Sequence, residues 1–176
     1  VQEEFSRVEA ATQEDWQRQV EGKPDYNAYG IGEKAHVVYP IAPYGDVFVD
    51  LLEYPATMSI VEAFMGPDVQ MADNALHVKP AGTRAHTDWH RDSSAITQAP
   101  LFGLAQDLLE NKTGYVQWNI ALYDDDVFWV VPRSHDRPTD EEQRCQLMLD
   151  PTSALQHGTP VELAAGDGIV YPNVIM

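Results

Sequence analysis

The segment Ala85-His86-Thr87-Asp88-Trp89-His90-Arg91-Asp92 holds two of the six histidines of the chain. His86, Asp88, His90 and Asp92 recur at every second position, and in an extended strand residues two apart point to the same side. Such a polar row is costly to bury unless it binds something. Imidazoles and carboxylates together suit a divalent metal. A His-x-Asp pair completed by one remote histidine is the facial triad of non-haem iron(II) sites. Three protein ligands on one face leave three positions for a cosubstrate and oxygen. The segment contains two overlapping pairs, His86/Asp88 and His90/Asp92, and spacing alone does not choose between them.

Short strands must carry this row. Residues 69–78 alternate loosely and predict a strand ending at Lys79-Pro80, with His77 and Lys79 on one face; a turn at Gly82 then leads into the row. The clearest alternation spans residues 115–123. Val116, Trp118, Ile120 and Leu122 share one face, and Gln117, Asn119 and Ala121 share the other. Asp124-Asp125-Asp126 predicts a solvated turn. Residues 128–131 predict a buried strand closed by Pro132-Arg133-Ser134-His135, and residues 161–163 and 168–171 two more strands around Gly166-Asp167. Residues 99–110 suit a short helix or a lid. Upstream, residues 3–20 predict an amphipathic helix with Phe5, Val8, Trp16 and Val20 on its apolar side. Residues 22–44 are loop-rich, and His36 and His157 have no evident partner. A second helix follows Tyr54-Pro55, with Met58, Val61, Phe64 and Met65 as its inner stripe and Gly66-Pro67 as its end.

Helices first and many short strands afterwards predict a mainly β single domain, a jelly roll with helices outside it. Residues 1–66 form its helical, loop-rich part and residues 67–176 its core. The length of 176 residues suits one domain. Eleven Lys and Arg against 28 Asp and Glu give a net charge of −17, which repels nucleic acid and anionic membranes. The single cysteine, Cys145, excludes an intramolecular disulfide and a Cys-rich metal site, and fits a reduced cytoplasm. The longest apolar run, residues 127–131, is too short to span a bilayer.

Several segments occur in the order seen in one family. Residues 60–69, ending a helix at Gly66-Pro67, come first and Val78-Lys79-Pro80 follows. Then come Trp89-His90-Arg91-Asp92, Asn119-Ile120-Ala121-Leu122 before a run of acids, Val130-Val131-Pro132-Arg133-Ser134-His135, and Ala165-Gly166-Asp167-Gly168-Ile169-Val170-Tyr171. From Tyr54 to Met176 the chain resembles the phytanoyl-CoA dioxygenase family of iron(II)/2-oxoglutarate oxygenases. Arg133 stands where that family usually has glycine.

That resemblance implies a double-stranded β-helix of the cupin-like jelly-roll kind, binding Fe(II) and 2-oxoglutarate. It implies hydroxylation of a small molecule with succinate and carbon dioxide as co-products. His90 and Asp92 become the metal pair, and the third ligand, a histidine, is expected just after Met176, as is the last strand of the roll. His86 and Asp88 become residues that orient ligands. Gln117 and Asn119 are expected to face 2-oxoglutarate or substrate, with His77 in reach of the cosubstrate. Asp92, a carboxylate where related halogenases carry a small residue, implies hydroxylation over halogenation. So acidic a chain is poorly suited to a polyphosphate, so a small uncharged or cationic substrate is expected. Two alternatives stand beside this one: a catalytically inactive binding module of the same fold, and a cupin-like metalloenzyme that does not use 2-oxoglutarate.

Overall fold

A computed structural model describes residues 1–20, 36–72, 74–79, 87–91, 116–137 and 139–176. His86, Asp92, the expected turn at Gly82, segment 99–110 and the Val20 side chain lie outside the described residues. The chain divides into two compact units, Val1–Asp88 and Trp89–Met176. The division falls within the His/Asp row rather than at the change from helices to strands near Pro67.

In the first unit, α1 (Gln2–Val20) carries Glu3 and Glu4 in its first turn, where carboxylates meet the positive end of the helix dipole. Phe5, Val8, Thr12 and Trp16 are buried along one stripe. Phe5 packs edge-on against Phe48 of α2 (Asp46–Leu52), with ring centroids 4.9 Å apart. Val8 and Phe48 are fully enclosed, and burial of each contributes about 1.5–3 kcal/mol. β1 (His36–Val38) pairs antiparallel with β2 (Leu76–Val78), Val37 opposite His77. The strand expected over residues 69–78 is thus confined to its last three residues. Upstream, Asn74 leaves the strand path to accept from the backbone N–H groups of Ile41 and Ala42 at 2.7 and 2.9 Å.

His36, for which the sequence suggested no partner, is buried against α1. Its ring stacks on Trp16 at 5.8 Å, and its Nε2 lies 3.0 Å from Thr12 Oγ1. The Thr12 hydroxyl donates its one hydrogen to Val8 O at 2.8 Å, so Nε2–H must donate to Thr12. Nδ1 is then the bare nitrogen, buried without a partner among the described residues.

α3 (Pro55–Met65) begins with proline in its first turn and ends at Gly66, whose φ of 87° suits glycine. The expected inner stripe holds in part: Met58, Val61 and Met65 are half-buried, but none is fully buried and Phe64 is exposed. Periodicity identifies which residues share a face, not whether another element covers it.

In the second unit, β3 (Val116–Ile120) pairs antiparallel with β6 (Gly168–Pro172), and β4 (Asp125–Val130) with β5 (Thr159–Leu163). The β4–β5 pair is nested in sequence within the β3–β6 pair. The turns between β3 and β4 and between β5 and β6 bond to each other: Ala121 N–H donates to Asp167 O at 2.9 Å, and Gly166 N–H to Ala121 O at 2.7 Å. Asp124 is not merely solvated, since its carboxylate accepts from Ala165 N–H at 3.0 Å. Asp125 and Asp126 already belong to β4. The strand expected over residues 128–131 is buried only at Val131; Trp129 is exposed. A helix the sequence did not suggest, α4 (Glu141–Leu149), is capped by Asp140, which accepts from Gln143 N–H at 2.8 Å. Among the described residues, no helix is long and apolar enough to cross a membrane.

Candidate functional site

The described part of the His/Asp segment, residues 87–91, is not a regular strand and bends at Trp89. Strict alternation therefore does not run through it. Its conformation is held by side chains on either side of His90. Trp89 N–H donates to Pro151 O at 3.0 Å and its indole Nε1–H to Ser153 O at 2.9 Å. A Cβ placed on Gly158 would stand 3.0 Å from the Trp89 ring and 2.9 Å from Leu155 O. The loop before β5 is therefore closed around this indole, with a glycine where the ring comes closest.

On the other side of His90, Arg91 is only 5% exposed. Its Nη1 donates to Ser134 O at 2.8 Å and to Val174 O. Its Nη2 reaches Arg137 O and Thr139 Oγ1, each at 3.4 Å. Burial, helped by the neighbouring Arg137 charge, pushes this guanidinium down to about 10, so it stays protonated at neutral pH. The Ser134 turn is itself tied to the same C-terminal stretch. Met176 N–H donates to Ser134 Oγ at 2.7 Å, and Val131 N–H to Met176 O at 2.6 Å. Ser134, rather than the exposed His135, makes this tie. His90 is exposed between these two anchors.

Gln117 and Asn119 stand on one face of β3. The register sets Gln117 opposite Tyr171 and Asn119 opposite Ile169, and directly paired residues share a face. Asn119 Nδ2 donates to the Tyr171 hydroxyl at 3.1 Å. The Tyr171 ring is buried and lies 5.4 Å from Phe128 of β4. This face thus combines half-buried amides, a buried phenol and an aromatic contact from the second strand pair.

His77 is exposed at the centre of β2, in the first unit. Lys79 is exposed at the strand end and donates from Nζ to Thr87 Oγ1 at 2.8 Å, which ties the end of β2 to the start of the row. Asp88 is half-buried in that same unit. Among the described residues, no three His, Cys, Asp or Glu side chains come together as a metal-binding group. Sequence reasoning misses Arg91, Gly158, Ser134 and Tyr171 as contributors. The only signal for Arg91 is its place between two candidate ligands, and periodicity would assign it to the opposite side of the chain. No family profile, curated protein or solved structure matches this chain.

Proposed function

We propose that this chain is an iron(II)/2-oxoglutarate-dependent dioxygenase that hydroxylates a small-molecule substrate. Its metal pair is His90 and Asp92, with a histidine directly after Met176 as the third ligand. The observation that carries this reading is the Arg91 clasp. It joins the segment bearing His90 to Val174, two residues before the end of the stretch that leads to the expected third ligand. The nested β3–β6 and β4–β5 pairing is also what a ribbon wound into a jelly roll requires.

The donor chemistry fits iron(II): an exposed imidazole at His90 and, two residues on, the Asp92 carboxylate. Iron(II), when bound, supplies oxygen activation coupled to oxidative decarboxylation of 2-oxoglutarate. The protein's part is to bind and orient. Gln117 and Asn119 offer amide donors to a carboxylate, with Tyr171 steadying Asn119. The net charge of −17 favours a small uncharged or cationic substrate over a polyphosphate.

The test uses full-length protein loaded with Fe(II). It should bind 2-oxoglutarate in a metal-dependent way and release succinate; no binding would refute the proposal. Asp92→Ala should abolish iron binding while Asp88→Ala weakens it far less. The reverse result moves the metal pair to His86 and Asp88. Binding of a small molecule with no iron uptake would instead mark an inactive module of the same fold.

A further inference from the structure

Arg91 is a poor choice for stability alone. Its acceptors among the described residues are three carbonyls and a hydroxyl, and Nε is buried without an acceptor among them. A buried charge whose acceptors among the described residues are all dipoles costs desolvation that an apolar side chain of similar size avoids. What an apolar side chain cannot do is fix several acceptors at once through a rigid planar fork. Nη1 alone joins the carbonyls of Ser134 and Val174, which are 43 and 83 residues away in sequence. Arg91 is buried and its neighbour His90 is exposed, so immobilising Arg91 immobilises the backbone that presents His90.

We propose that Arg91 is a positioning residue of the metal site: its guanidinium fork holds the segment bearing His90 in register with the Ser134 turn and the stretch ending at Met176. This rests on the metal reading above and adds to it the element that aligns ligands from distant parts of the chain.

The test needs no turnover. Full-length protein is titrated with Co(II), followed by visible absorption, and the metal-free thermal midpoint is measured alongside. Arg91→Lys keeps the charge and loses the fork; made on an Arg133→Gly background, it starts from a more stable turn. Co(II) affinity should fall by about 10–100-fold, the range for residues that orient metal ligands, with shifted visible bands. A purely structural role would lower the thermal midpoint but leave affinity and spectrum of the folded protein unchanged, and that result would overturn the proposal. If Arg91→Lys does not fold, Thr139→Val trims one acceptor of the same fork; it should weaken Co(II) binding several-fold, and unchanged binding would again overturn the proposal. The metal reading fails in a different place. Wild type that takes up no Co(II), or His90→Ala that binds as tightly as wild type, would refute both.

Discussion

Arg133 and His36 show opposite ways in which a single position carries strain. Arg133 adopts φ 63°, the left-handed region, which costs a side chain with a Cβ about 1–2 kcal/mol. This is the position where the resembled family usually has glycine, so the sequence flagged the site and the backbone explains it. Arg133→Gly removes only an exposed ion pair to Asp136 at 3.4 Å. It should raise stability by about 0.5–1 kcal/mol, read as a higher urea midpoint. His36 is strained electrostatically. Burial pushes its imidazole below the ordinary 6.5, and the charge of Glu9 offsets this only in part. A lowered folded value means that the neutral ring is favoured on folding. Its contribution is complete above the unfolded value and is lost as pH falls below about 6.5 toward the folded one. Urea unfolding from pH 7.5 to 5 should therefore show a loss of stability in wild type that His36→Gln lacks. Parallel profiles would show that His36 carries no such coupling.

Two elements invite direct tests. Hydrophobic periodicity does not reveal α4, although Asp140 and Gln143 have the spacing of a capping box. The buried member of this helix is Gln143, a polar residue bonded at 2.8 Å to Gln156 O. Asp140→Ala should cost about 1 kcal/mol, measured as a lowered thermal midpoint. The loop before β5 presents the contrasting case of close approach. Gly158→Ala forces its new methyl against the Trp89 ring and Leu155 O. It should destabilise by about 1–3 kcal/mol, with a change in Trp89 fluorescence that a remote loop substitution would not cause. The strand faces were legible in part. Alternation over 116–120 correctly grouped Gln117 with Asn119, but only the register with β6 brought Tyr171 to the same face.

For the whole molecule, the charge of −17 is the strongest physical influence readable without coordinates. Self-repulsion of that size is screened by salt over a distance of about 10 Å at 0.1 M. The thermal midpoint should rise as NaCl is increased from about 20 mM to about 500 mM, and a flat response would show that the acids are already compensated locally. Binding of metal by the folded form alone should add to this: about 2.7 kcal/mol of apparent stability at a metal concentration 100-fold above Kd. A midpoint unmoved by Fe(II) or Co(II) would count against the metal site.

By itself the sequence determined the amphipathic helix at the N-terminus, the β3 alternation, the Gly166-Asp167 turn and the set of possible metal donors. These depend on periodicity, turn chemistry and residue type, which act over a few neighbouring positions. Tertiary structure decided what those rules cannot reach. It left Phe64 exposed on α3, gave His36 its partners on α1, and turned Asp124 into an acceptor for Ala165. At the His/Asp row it replaced simple alternation with two anchors, Trp89 in the loop before β5 and Arg91 on Ser134 and Val174. Those bonds join groups 43 to 83 residues apart, and burial of a charge depends on which distant carbonyls the fold brings to it. The segment supplies its own donors, but the positions they hold are set by residues far along the chain.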